Sequence, residues 1–204
     1  MKPATTFFVL ALLVTTQFAV TGSAHGAAIG MPESTLRIGY GIGLANLSIE
    51  DPNGPAESKS IFQPFRVIVT DWFRGDVRYW GEFYYQDATL KASQTSVGQS
   101  VSQYGLQLSA QKSFYVNAIW SPWLGVGVDL SQNSYSSRHT VDDDGFLQNR
   151  FADRSEIDPG LIFNLISETE LNRDWEMGVK LEQRLSITDG IDQLSLSVFV
   201  LNHF

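Results

Sequence analysis

Residues 193–204 read QLSLSVFVLNHF. Leu194, Leu196, Val198 and Val200 alternate with Gln193, Ser195 and Ser197, and then with the less polar Phe199 and Leu201. A repeat of two is that of a β-strand, whose successive side chains point to opposite faces, so this stretch predicts a strand with one apolar face. It ends on an aromatic residue, Phe204.

The same alternation runs back through the chain. It is sharpest over 175–187, where Trp175, Met177, Val179, Leu181 and Leu185 oppose Glu176, Gly178, Lys180, Glu182 and Arg184. Over 123–135, Leu124, Val126, Val128 and Leu130 oppose Gly125, Gly127, Asp129 and Ser131. Further strands are predicted over 34–49, 61–72, 77–90, 104–120 and 151–166, which gives about eight. Pro64 belongs near a strand end or a bulge, because proline cannot donate to a ladder. Lys112 falls on the apolar face of its strand, a misfit that a bulge near Gln111 would correct. Residues 50–60, 91–103 and 136–150 are rich in Pro, Gly, Ser, Asn or Asp and read as loops. They alternate with short turns, the pattern of a closed transmembrane barrel with long loops at one end only.

The first residues are a different kind of segment. Lys2, the apolar run Phe7 to Val14 and then Gly22-Ser23-Ala24 follow the layout of a secretory signal, with cleavage expected after Ala24. Three parts are therefore expected: a signal peptide over 1–24, a periplasmic leader over 25–33, and a barrel domain over 34–204. Lys2 is the only charge in the first 24 residues, so its removal takes the formal net charge from -8 to -9. That acidity excludes nucleic acid as a natural partner. With no cysteine in the chain, neither a disulfide nor a thiolate site is available.

Alternation alone does not say which face looks inward. A barrel of about eight strands is just wide enough for side chains to fill it. Glycines at 39, 41, 43, 125, 127, 160 and 178 leave room on the polar face for Arg37, Arg66, Glu82, Asp129, Glu176, Lys180, Glu182 and Arg184. These charges are expected to neutralise one another as a lumenal plug, with the apolar faces turned out to hydrocarbon. Trp72, Trp120, Trp123 and Trp175 flank the expected short turns, and with Phe204 they predict an aromatic girdle at the periplasmic interface. Backbone groups cannot go unpaired in hydrocarbon, so such a sheet must close.

With these features in place, the strand ending in a terminal Phe resembles the C-terminal signature of bacterial outer-membrane β-barrels, and the chain from about residue 34 resembles the small OmpA/OmpX-type barrels. The resemblance implies a closed antiparallel up-and-down all-β barrel in the outer membrane. It also implies recognition of the last strand by the outer-membrane assembly machinery. With nothing after Phe204, no periplasmic C-terminal domain is expected.

For function, the leading expectation is a non-enzymatic envelope scaffold, monomeric and without cofactor, whose outer loops contact lipopolysaccharide or an external partner. The second is a narrow pore for ions or small solutes lined by the inward charges. The third is a lipid A or phospholipid hydrolase, for which only His139 is placed to meet Ser136 or Ser137 and a nearby Asp. Asp142, Asp143 and Asp144 could offer oxygen ligands to a hard cation, but consecutive aspartates lack the alternate-position spacing of a calcium loop. A charged, solvated loop is the expectation there.

Overall fold

The computed structural model describes residues 36–74, 76–114 and 122–204. The expected signal peptide, the leader and Trp120 lie outside the described residues. The chain forms β1 (Arg37–Asp51), β2 (Gly54–Arg74), β3 (Val77–Leu90), β4 (Gly98–Ser113), β5 (Trp123–Val141), β6 (Leu147–Arg150), β7 (Arg154–Glu170), β8 (Trp175–Ser186) and β9 (Ile191–His203). Each main strand pairs antiparallel with its sequence neighbour, and β9 returns to pair with β1 from Arg37↔His203 to Ile49↔Ile191. The four-residue β6 pairs only with the end of β5, as a hairpin, so the closed wall has eight strands. Closure removes both sheet edges, which is the condition for placing strands in hydrocarbon. The rim carrying Arg37 and His203 is the near rim, and the opposite one the far rim.

Strand parity sets the faces as the sequence predicts. Leu194, Leu196, Val198 and Val200 point out of the wall, while Gln193, Ser195 and Ser197 are buried within it. Pro64 sits in a bulge: Gly41 lies opposite Arg66 and Gly43 opposite Gln63, so Pro64 and Phe65 of β2 face Ile42 alone. No register shift occurs near Gln111, and Lys112 stays on the outer face. It is tolerated because it lies at the near rim, where its long stem carries Nζ to water and to Asp76, 3.5 Å away.

Residues 50–60 are not a loop. β1 and β2 continue through them to a tight turn at Pro52-Asn53, with Asp51 paired to Gly54. Likewise β4 begins at Gly98 and β5 runs on to Val141, which reduces the other two expected loops to residues 91–97 and to a hairpin ending in β6. Breaker residues misled here because the alternation persists beneath them. β2 reaches 21 residues and β5 19, about twice the ~9–11 needed to cross a bilayer.

On β1, β3 and β5 the outer face changes from apolar to polar part-way along the strand. On β1 the outward residues run Ile38, Tyr40, Ile42, Leu44 and then Asn46 and Ser48; on β5 they run Leu124, Val126, Val128, Leu130 and then Gln132 and Ser134. On β3, Tyr85 is followed by Asp87 and Thr89. The inner face changes in the opposite sense. Toward the far rim Ala45, Leu47, Ile49, Ala88, Leu90, Val101, Tyr135 and Ile191 form a buried apolar core. One half of the barrel is apolar outside and charged inside; the other is polar outside and apolar inside, as a water-soluble barrel is.

Candidate functional site

The lumen is the first place to look for chemistry, because all eight expected inward charges are buried in it. They form three tiers. At the near rim Arg37 donates to Glu176 at 2.6 Å, and Arg78 donates through both terminal nitrogens to Glu168 at 2.8 and 2.9 Å. In the middle, Arg66 and Lys180 both donate to Glu82, Lys180 also to Glu182 at 2.8 Å, and Gln107 to Glu182 at 3.0 Å. Above them Arg184 donates to Asp129 at 2.6 Å and lies 3.1 Å from Asp158. A Cβ at Gly160 would come within 3.2 Å of the Arg184 guanidinium, so the glycine makes space for that charge. The tiers balance five cations against six carboxylates, so each buried charge has an opposite within reach.

Amide and apolar layers close the lumen around these tiers. Gln86 bridges Gln63, Gln103 and Gln193 across four strands. Toward the near rim Ile68, Trp80, Trp123, Ile166, Phe199 and Leu201 pack together, with Trp72 against them. Trp72 and Trp123 meet edge to face at 5.0 Å, and the Arg78 guanidinium lies 4.0 Å from the Trp123 ring centroid. These two tryptophans therefore do not join the expected girdle. Trp72 shares strand parity with Arg66, and Trp123 with Asp129, so both turn inward. Trp175 and Phe204 are exposed at the near rim.

Sequence reasoning missed Arg78, Asp158 and Glu168 as members of the charge tiers. The signal was parity: Arg78 precedes Trp80 and Glu82 by even steps, and Asp158 likewise precedes Gly160 and Asn164. Asp158 also fixes the turn between β8 and β9, accepting hydrogen bonds from Ser186 at 2.5 Å, Thr188 at 3.0 Å and the Ile191 backbone at 3.0 Å.

At the far rim, Arg138 of β5 reaches across to Asp51 at the tip of β1, with contacts of 2.9 and 3.0 Å to the two carboxylate oxygens, and donates to the Ala152 carbonyl at 2.7 Å. Burial would raise the Asp51 pKa, but the Asn53 backbone N–H and Arg138 outweigh it and hold the carboxyl below its ordinary range. Tyr135 donates to Glu156 at 2.8 Å, and burial together with that carboxylate pushes its hydroxyl up.

His139 does not meet a serine hydroxyl. Its Nδ1 lies 2.7 Å from the Ser137 carbonyl oxygen, Ser136 Oγ donates to the Ser100 carbonyl, and Asp153 accepts the Ser137 backbone N–H. Among the described residues no nucleophile, base and acid are aligned around it. Asp142 is spent on the turn, accepting from the backbone of Asp144 at 3.1 Å and of Phe146 at 2.8 Å, and Gly145 supplies the left-handed residue at φ 83°. Among the described residues no group of three or more acidic or histidine side chains converges to hold a metal ion.

The fold is similar to that of Neisserial surface protein A, NspA, with a TM-score of 0.57 and 16% identity over 83% of this chain and 97% of that one. It is also similar to Ail, the attachment invasion locus protein of Yersinia pestis, with a TM-score of 0.50 and 13% identity over 84% of this chain and 100% of that one. No protein-family model and no curated protein matches the chain. The architecture is that of the small eight-stranded outer-membrane barrels.

Proposed function

We propose that this chain is a non-enzymatic outer-membrane barrel protein, an envelope scaffold whose far-rim hairpins contact lipopolysaccharide or an external partner. The observation that carries the reading is the polarity switch on the outer wall. An apolar belt gives way part-way along these strands to Asn46, Ser48, Asp87, Thr89, Ser102, Gln132 and Ser134, and the wall then continues as paired hairpins. A belt of that kind suits hydrocarbon, and the polar wall above it suits the headgroup region and water. The near rim is then periplasmic and the far rim extracellular.

The Arg138–Asp51 ion pair ties the β1–β2 hairpin to β5, and paired hairpins favour recognition because less order has to be imposed on binding. Lumen tiers of buried, mutually paired charges support a scaffold rather than a pore. β9, which closes on β1, is the strand offered to the assembly machinery, and the Phe204 backbone N–H donates to the Leu36 carbonyl at 3.1 Å.

The test is to replace residues 142–146 and the Pro52-Asn53 turn by Gly-Ser turns and measure binding of whole lipopolysaccharide by the folded barrel. Loss of binding with the barrel intact is expected. Unchanged binding and an unchanged envelope phenotype would remove the hairpins from the function.

A further inference from the structure

The three lumen tiers are not equally balanced. At the near rim Arg37 and Arg78 meet two carboxylates, Glu176 and Glu168, whereas the middle and upper tiers set Arg66, Lys180 and Arg184 against four, Glu82, Glu182, Asp129 and Asp158. These last seven side chains are at most 1% exposed. Among the described residues one carboxyl there has no counter-charge. A lone buried charge is costly enough that such a group takes up a proton instead.

Hydrogen-bond donors identify which carboxyl it is. Asp158 accepts from Ser186, Thr188, the Ile191 backbone and Asn133, and lies beside Arg184. Glu82 accepts from Arg66, Lys180 and Trp80, and Glu182 has a donor on each oxygen, Lys180 and Gln107. Asp129 differs. Arg184 and, at 3.4 Å, the Tyr84 hydroxyl both reach its Oδ2, and no protein donor reaches Oδ1. Its register partner across β4 and β5 is Gln107, which turns into the lumen with it and donates to Glu182; Gln107 Oε1 is likewise a buried acceptor without a protein donor. A Cβ at Gly105, the inward residue beside Gln107, would come within 2.8 Å of the Tyr84 ring, so protein fills that side of the pair. Two acceptors on paired residues lack one hydrogen, and the tiers around them lack one positive charge. A single proton satisfies both.

We propose that the folded barrel holds Asp129 as the neutral acid, its Oδ1–H donating to Gln107 Oε1 while Oδ2 accepts from Arg184. Arg184 keeps Asp158 of β7 as its counter-charge. The other titratable groups around Asp129 are Tyr84 of β3 and Glu182 of β8, with Arg66 of β2 and its partner Glu82 beyond them. From β1, β4 and β9 the inward residues here are Gly43, Gln107 and Ser195, none of them charged. Five cations then meet five anions, and the plug closes as a neutral unit whatever the hairpins bind.

The test is Asp129→Asn, which puts an N–H where the acid has its O–H. With the proton in place the folded barrel binds one proton more than the unfolded chain, so its stability falls as pH rises above the ordinary aspartate value of roughly 3.9, until the folded protein releases the proton. In urea unfolding from lipid vesicles between about pH 5 and about pH 8, the unfolding constant of the wild type relative to the variant should rise about tenfold per pH unit. The variant should be at least as stable as the wild type at the upper end. A ratio that does not change with pH, with the variant the weaker protein throughout, would mean an ionised Asp129 and overturn the proposal. Infrared spectra of the folded wild type at about pH 8, where solvated carboxyls are ionised, should show an acid C=O band. The band should vanish in Asp129→Asn and shift in Gln107→Leu, which keeps the acid and removes its acceptor. No such band, a band indifferent to both variants, or wild-type stability that rises with sodium chloride but not with choline chloride at equal ionic strength would put water or a metal ion at the pair and overturn the proposal as well.

Discussion

Arg66 and Glu82 form an ion pair inside the barrel with neither side chain exposed to solvent. Glu82 also receives Lys180 and, at 3.1 Å, the Trp80 indole N–H, so one carboxylate holds three donors from three strands. Removing it leaves two buried cations to share the single carboxylate of Glu182. Glu82→Ala should therefore destabilise the barrel by about 3–5 kcal/mol, read as a lower urea midpoint for the barrel in lipid vesicles. Restoring half the loss by adding Lys180→Met would show that the penalty comes from the excess of buried positive charge. An unchanged midpoint in the single variant would mean that water reaches this tier.

If the tiers are closed to water, they are closed to ions. The purified wild-type protein should give little or no conductance in planar bilayers, because the Gln86 bridges and the Trp72–Trp123 contact both cross the lumen. Stable, reproducible channels from the wild-type protein would favour the pore reading over the scaffold.

Trp123 is buried beneath the Arg78 guanidinium, while Trp175 stands 43% exposed on the outer wall. Trp123→Ala should cost about 3–5 kcal/mol as a core truncation, and Trp175→Ala distinctly less, both measured by circular dichroism during urea unfolding. Equal losses would put both rings in the same environment. The contrast also marks what the chain made legible. Faces followed from parity, which is why the lumenal charges and β9 could be read from sequence. Closeness to turns does not fix a face: Trp72 shares its face with Arg66, Ile68 and Thr70 and so turns inward, away from the expected girdle. Residues 50–60 failed for a related reason. Beyond the belt the wall stands in water, so its outward residues become Ser and Pro, and a composition that reads as loop belongs to strands.

Asp51 and Arg138 strap the far rim, and the sign of their pH dependence follows from the lowered Asp51 pKa. A carboxyl whose folded pKa lies below its unfolded value, roughly 3.9, stabilises above that value and loses the contribution as pH falls through the folded pKa. The strap should hold at neutral and mildly acid pH and loosen only below about pH 4. Hydrogen exchange at the β1–β2 tip should then rise on acidification in the wild type. In Asp51→Asn it should already be fast at pH 7 and change little. A tip whose exchange is the same in both proteins at pH 7 would mean that the strap carries no stability.

The placement of the belt makes a depth-dependent prediction. Val126 and Gln132 both point outward from β5, six residues apart on one strand and on opposite sides of the polarity switch after Leu130. An arginine at a bilayer midplane costs a transmembrane barrel about 2–4 kcal/mol, and near an interface about 0–1. Val126→Arg should therefore destabilise the vesicle-embedded barrel by the larger amount and Gln132→Arg by the smaller, since the second guanidinium already stands among polar groups. The inner face provides the converse. Leu47 is 1% exposed in the far-rim core, and Leu47→Asp should open the hairpins to protease while leaving insertion intact. Comparable losses for Val126→Arg and Gln132→Arg would show that the outer wall meets one solvent throughout, and a barrel wetted evenly on its outside is not held in a bilayer.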